Sequence, residues 1–319
     1  MEKPSNRVLL KGIFLSPTFY NVEAIKRMQD EFEVRNQDVI IVTYPKSGTH
    51  WMIDIISLIY SKGDPTWVKS VPFWKRSPWI EMEYGMEMVK NKEDPRLFTS
   101  HLPIHLFPKA YFTSKAKVIY LARDPKDVIV SLYHFQKEMP SFQSGFTFEH
   151  VIENFQQGND SIQGRGSPSK SMRQKWAGIP FLLPNSLPVS FGSWFDHIKG
   201  WLSRKDPERF LLLNYEKLHQ DLKASVEKIC HFLGKELSEE EISSVLKNAS
   251  FPVMKKHILE NKEPMPLENM EPFKVKIMRK GICGDWKNHF TVTQADVFNK
   301  LYQEKMEELG TDLFPWDQC

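Results

Sequence analysis

The residues best suited to chemistry crowd into one short stretch, Tyr44-Pro45-Lys46-Ser47-Gly48-Thr49. A glycine lets backbone amides approach an anion, the hydroxyls of Ser47 and Thr49 donate hydrogen bonds, and Lys46 supplies charge. The order differs from the magnesium-dependent phosphate loop G-x-x-x-x-G-K-[ST], because here the lysine precedes the glycine. In that loop the hydroxyl after the lysine reaches Mg²⁺, so the permuted order points to a cradle that works without a metal. The competing reading is an ordinary strand-to-helix connection. His101, in Thr-Ser-His-Leu-Pro, is a candidate proton acceptor. A neutral imidazole near pH 7 can take the proton of an attacking hydroxyl, an effect worth about 10²–10⁴ in rate. Arg123, with Ser131 eight residues on, and Arg279-Lys280-Gly281 offer further cations. Read alone, Arg123-Asp124 is equally a structural pair, and Arg279-Lys280 equally a solvated charge run.

The elements around these residues decide whether they meet. Val39-Ile40-Ile41-Val42 is a short apolar run rich in β-branched residues, as expected of a strand buried on both faces. Helical spacing then resumes at Trp51, Ile55, Ile56, Leu58 and Ile59 and stops at Gly63-Asp64-Pro65. A strand, a glycine-bearing turn and a helix start leave free N–H groups and a positive dipole end facing the turn. Further strands are expected at 96–101, 117–123 and 210–215, with a helix following Asp124-Pro125 to about Lys137. Lys46, His101, Arg123 and Tyr215 each fall at or just past the end of such a strand. Strands interleaved with helices predict an α/β fold, a central parallel sheet flanked by helices, with ligands beyond the carboxyl ends of the strands. Helices are also expected at 25–32, 193–202, 222–233, 238–248 and 293–309, and a flap at 7–19. Between 157 and 190 no period fits.

Bulk properties exclude several classes. A net charge of +3 over 319 residues argues against nucleic acid and against a membrane surface as partners. No run approaches the roughly 20 apolar residues that span a bilayer, and the first residues carry no secretory pattern. Cys230, Cys283 and Cys319 are odd in number and far apart, which predicts no zinc site or disulfide framework and a reducing, cytoplasmic setting. One domain over 1–319 is expected.

Thr43-Tyr44-Pro45-Lys46-Ser47-Gly48-Thr49-His50-Trp51 resembles the sulfate-binding loop of the cytosolic sulfotransferases. These use 3′-phosphoadenosine-5′-phosphosulfate (PAPS) and release adenosine 3′,5′-bisphosphate. Residues 279–291, R-K-G-I-C-G-D-W-K-N-H-F-T, resemble a second signature of that family, and the likeness covers roughly 7–156 and 191–319. The resemblance implies a P-loop-like nucleotide-binding fold and metal-free sulfuryl transfer, with His101 as general base and Lys46 stabilising the leaving group. It places Lys46, Ser47, Gly48, Thr49, His50 and Trp51 at the phosphosulfate loop. Arg123, Ser131, Arg279, Lys280 and Gly281 fall at the 3′-phosphate, and Trp51, Tyr215 and Ser250 at the adenine. The segment from Gly63 to Glu81 and the F-P-W ending look most like the hydroxysteroid and bile-salt branch, which sulfonates small alcohols on flat apolar skeletons. Phe14, Phe19, Trp74, Trp79, Phe135 and Trp194 are the aromatic candidates for an acceptor pocket.

Three departures from the family pattern stand out. Residues 157–190 carry an insertion of about thirty residues where the family passes from a helix directly to G-S-W; closure entropy makes such a loop inexpensive. His50 occupies a position where Asn or Thr is common. The dimer signature K-x-x-x-T-V-x-x-x-E starts at Lys287 and closes with Asp296 instead of glutamate, so a homodimer through 287–296 is implied with a shorter carboxylate. Two other readings fit the same residues: a nucleotide-binding relative silenced by the insertion, and a small-molecule kinase needing Mg²⁺ and ATP.

Overall fold

The computed structural model describes residues 8–15, 20–137, 147–157, 191–204, 206–261, 263–264, 278–309, 314 and 316. Phe19, the side chain of Phe14 and most of the expected insertion lie outside them. A hairpin opens the described chain, β1 (Val8–Leu10) pairing antiparallel with β2 (Ile13–Leu15). Lys11 and Gly12 at its tip both have positive φ, which suits a two-residue turn between twisted strands. Leu10, Ile13 and Leu15 are buried, so this part of the expected flap packs on the body.

The apolar runs form β3 (Val39–Thr43), β4 (Leu97–Ser100), β5 (Lys117–Ala122) and β6 (Phe210–Asn214), all parallel in the order β4-β3-β5-β6. Their side chains alternate between two cores. Ile40, Val42, Phe98, Val118 and Tyr120 join Met28, Phe107, Trp201 and Phe298 on one face. Val39, Ile41, Leu97, Ile119, Leu211 and Leu213 join Met52, Ile55, Ile59 and Val226 on the other. Burial on both faces explains why these strands are apolar at nearly every position. β3 has neighbours on both sides that follow it in sequence, so the strand order reverses there, and a crevice opens beyond its carboxyl end.

The helices are α1 (Val22–Glu31), α2 (Thr49–Tyr60), α3 (Thr66–Ser70), α4 (Phe73–Arg76), α5 (Glu83–Lys90), α6 (Pro125–Lys137), α7 (Phe148–Gln157), α8 (Trp194–Leu202), α9 (Tyr215–Gln220), α10 (Leu222–Leu233), α11 (Glu239–Asn248), α12 (Phe251–Glu260) and α13 (Val292–Met306). Ser238 with Glu241 and Thr291 with Gln294 form reciprocal capping boxes that fix the starts of α11 and α13. Helices α3 to α5, α7, α9 and α12 were not expected. Several are too short to show a helical period, and α3 and α4 lie among prolines and aromatics that obscure one.

Two buried ion pairs tie the layers. Arg96 grips Asp38 through both carboxylate oxygens, at 2.7 and 2.6 Å, joining the starts of β3 and β4. Arg76 reaches Asp54 at 2.5 Å and the Ser57 hydroxyl at 2.7 Å, fastening α4 to α2. Removing one partner of such a pair strands a buried charge, at a cost of about 3–5 kcal/mol. Cys230 is a buried free thiol, whereas Cys283 is disulfide-bonded. That corrects the expectation of no disulfide, because distance along the chain does not fix distance in space, and cysteine usage no longer argues for a reducing setting. Among the described residues no helix is long and apolar enough to cross a membrane, and no group of three or more His, Cys, Asp or Glu is placed to hold a metal ion.

Candidate active site

The turn after β3 is bent by two left-handed residues, Lys46 at φ 70° and Gly48 at φ 103°. A lysine in that region costs of order 1 kcal/mol, and such strain gathers at functional sites. Glycine at 48 is required twice over: its φ suits no Cβ, and a Cβ would lie 2.7 Å from the Tyr215 ring. Gly48 caps α2, whose first helical bond runs from the Met52 N–H to the Gly48 carbonyl. The amides just before it have no helical acceptor and face the turn. Among the described residues the Ser47 hydroxyl is buried without a partner, as are Nε of Arg123 and Nε of Arg279. Three buried donors without acceptors fit a bound polyanion such as a nucleotide phosphosulfate. Burial, with Arg123 and Arg279 close by, pulls the Lys46 ammonium down to about 7; its Nζ sits 4.1 Å above the Phe135 ring.

His101 follows β4 and lies beside the same crevice. Its Nδ1 is 2.9 Å from the Thr43 carbonyl and 3.1 Å from the Thr43 hydroxyl. A carbonyl only accepts, so Nδ1 carries the proton and Nε2 keeps its lone pair, the tautomer of a base. Burial and Lys46 hold the imidazole down at about 4, the bond to Thr43 opposing them. Its main chain is pinned at both ends. The His101 N–H donates to Glu81 Oε1 at 2.8 Å, and His197 Nε2 donates to the His101 carbonyl at 3.1 Å while Nδ1 accepts from the Tyr120 hydroxyl. Glu81 is buried, which raises its carboxyl to about 7.

Arg123, after β5, bridges the crevice. It donates to the Lys46 carbonyl at 3.2 Å and the Ile282 carbonyl at 3.0 Å, and its guanidinium lies 4.2 Å over the Tyr215 ring. Its ion-pair partner is Asp127 at 3.6 Å, whereas the Asp124 carboxylate accepts from the Lys126 N–H at 2.8 Å and the Asp124 N–H donates to Glu216. Asp127 accepts from the amides of Gly284 and Trp286 at 2.8 and 2.9 Å, stapling the 279–291 stretch to α6. Arg279 and Lys280 converge on buried Asp285 at 2.5 and 2.7 Å, and these cations hold its carboxylate well below the usual range despite burial. They are therefore a built cluster and not a solvated run. Gly281 has φ 67°, and a Cβ there would overlap the Phe251 ring. Ser131 is half-buried on α6. Trp51 donates to the Ala249 carbonyl at 2.8 Å and lies 5.3 Å from the Tyr215 ring, and the Ser250 hydroxyl bonds Lys247.

The aromatic candidates divide. Trp79 stands 5.9 Å from His101 and 5.8 Å from His50, at the crevice. Phe135 lies under Lys46. Trp194 packs in a cluster with Phe195, Tyr302, Phe314 and Trp316, and Trp74 and Trp79 both belong to the second core. Phe191, which sequence reasoning passed over, stands 5.7 Å from the His101 ring and packs on Tyr20. Thr43, Glu81, His197, Asp127 and Asp285 were also missed. Thr43, Glu81, Asp127 and Asp285 each lie inside a singled-out stretch, but nothing in those stretches marked their roles.

Residues 36–310 match the model of the sulfotransferase domain family. The chain is 46% identical over 307 residues to Sulfotransferase 2A1 of Macaca fascicularis, covering 96% of this chain and 97% of that one. It is 45% identical over 315 residues to the 3-beta-hydroxysteroid sulfotransferase of Cavia porcellus, covering 98% and 99%. In structure it is similar to mouse sulfotransferase SULT7A1 complexed with PAP, with a TM-score of 0.71, 28% identity and coverage of 94% and 95%. A glycine-bearing lysine turn after the first strand of a parallel sheet, a histidine after the next, and matches that run almost end to end lead to one statement: this chain belongs to the sulfotransferase family.

Proposed function

We propose that the chain transfers a sulfuryl group from PAPS to the hydroxyl of an apolar alcohol, a hydroxysteroid or bile acid, and releases adenosine 3′,5′-bisphosphate. His101 Nε2 takes the acceptor's proton while its oxygen forms a bond to sulfur and the bond from sulfur to the bridging phosphate oxygen breaks. Lys46 meets the charge that grows on that bridging oxygen; a preorganised donor of this kind is worth about 3–4 kcal/mol of barrier. The cradle of 46–51 and the cluster of Arg123, Ser131 and Arg279 to Gly281 receive the two phosphate ends, with Trp51, Tyr215 and Ser250 toward the base. PAPS is the co-substrate, supplying an activated sulfuryl group. The observation that carries the reading is the His101 tautomer, with Nδ1 committed to Thr43 and Nε2 bare beside the lysine turn. Similarity to a 3-beta-hydroxysteroid sulfotransferase supports the acceptor class.

Transfer of radiolabelled sulfate to a 3-hydroxysteroid or bile acid tests this. His101→Ala should lower turnover by about 10²–10⁴ and leave binding of adenosine 3′,5′-bisphosphate intact. Undiminished transfer in that variant ends the assigned role. Tight bisphosphate binding with no turnover in the unaltered chain, restored by deleting 159–189, would point to a silenced relative, and a calorimetric preference for ATP with Mg²⁺ to a kinase. We also read the chain as one domain, resident in the cytoplasm. A homodimer through 287–296 is supported by Val292, an apolar side chain 79% exposed at the start of α13.

A further inference from the structure

His50 does two things at once. As the second residue of α2 it offers its backbone amide to the anion cradle, while its side chain turns toward α4 and the segment before α5. There the ring meets Phe73 edge-on at 4.4 Å and lies 5.8 Å from Trp79, the same indole that stands 5.9 Å from His101. Two imidazoles thus flank one tryptophan at the mouth of the crevice. His50 is half-buried, and its ring nitrogens make no hydrogen bond with any described residue. A half-buried imidazole against an aromatic wall, its nitrogens unpaired by any described residue, keeps one donor and one acceptor for a ligand.

We propose that His50 determines acceptor specificity, its imidazole hydrogen-bonding a second hydroxyl or carbonyl oxygen that lies near the reacting hydroxyl. The partner must be neutral. Burial first, then Lys46, His101 and Arg76, hold the ring down at about 3, so it is uncharged at working pH and gives a carboxylate no ion pair. With both rings beside Trp79, the proposal puts the second oxygen on the ring that bears the transferred group or on its neighbour: a diol or hydroxyketone, more than a lone alcohol. This deepens the sulfotransferase reading and rests on it.

The test compares a 3-hydroxysteroid with its 2,3-diol counterpart as acceptors at saturating PAPS. The unaltered chain should favour the diol in kcat/KM by about threefold to tenfold, the worth of one neutral hydrogen bond. His50→Phe keeps the ring packing and removes the nitrogens, so the diol-to-alcohol ratio should fall to about one. His50→Asn, which restores a donor and acceptor, should recover part of it. A ratio near one in the unaltered chain, or one that survives in His50→Phe, overturns the proposal. If a variant turns over too slowly, equilibrium binding of the two acceptors to the adenosine 3′,5′-bisphosphate complex gives the same ratio. Absence of transfer to either acceptor by the unaltered chain would count against the sulfotransferase reading, while the binding ratio would still judge His50.

Discussion

Lys46 is the residue whose chemistry responds most to what binds. Buried beside Arg123 and Arg279, it loses its proton near pH 7 in the free chain. A polyanion against it must raise that value again, because an opposite charge favours the charged form. Binding of adenosine 3′,5′-bisphosphate at pH 8 should therefore take up close to one proton, and at pH 6 almost none. Calorimetry in two buffers of different ionisation enthalpy measures this, and Lys46→Met should abolish the uptake. An uptake unchanged in Lys46→Met would refute the assignment. Lys46, His101 and Arg123 could be found in the sequence because each follows an apolar run that ends in a polar group. Thr43, Glu81 and His197 could not. They act through backbone partners supplied by distant elements, as His197 does on the His101 carbonyl, and no spacing records such a meeting.

At the level of elements, the β3-turn-α2 unit sets the geometry of the cradle, and Gly48 is its least replaceable point. Gly48→Ala puts a Cβ against Tyr215 in a left-handed conformation, so stability should fall by about 1–3 kcal/mol. Tyr215 also roofs Arg123, so bisphosphate affinity should fall about tenfold or more; unchanged affinity by titration would contradict this account. The strands were legible because burial on both faces leaves an unbroken apolar run. Helices of four or five residues, such as α3 and α4, were not, since so few residues show no period. Trp74 and Trp79 illustrate the same limit at side-chain level: both fill the second core, and only the histidines beside Trp79 tell them apart.

Across the whole molecule, the cations of the second signature are held by Asp285, and that signature is held to α6 by Asp127. Asp285→Asn should weaken bisphosphate binding about tenfold and lower stability by about 1–3 kcal/mol at pH 7, less than a fully buried pair because Lys280 is partly exposed. The carboxyl is held below its unfolded value, so its contribution is complete above about pH 4 and fades as pH falls further. Melting curves of the two proteins should thus converge in acid; a gap that persists there would exclude the ion pair as its cause.

The staple at Asp127 and the Arg123 bond to the Ile282 carbonyl also set an order of assembly. The four parallel strands of the described residues are complete by Asn214, whereas Arg279, Lys280 and Gly281, proposed to hold a phosphate, follow more than sixty residues later. A chain emerging from the ribosome can raise its sheet long before it completes that site. A transcript cut short before Asp285 would yield a protein with strands in place and only part of its proposed grasp on the co-substrate.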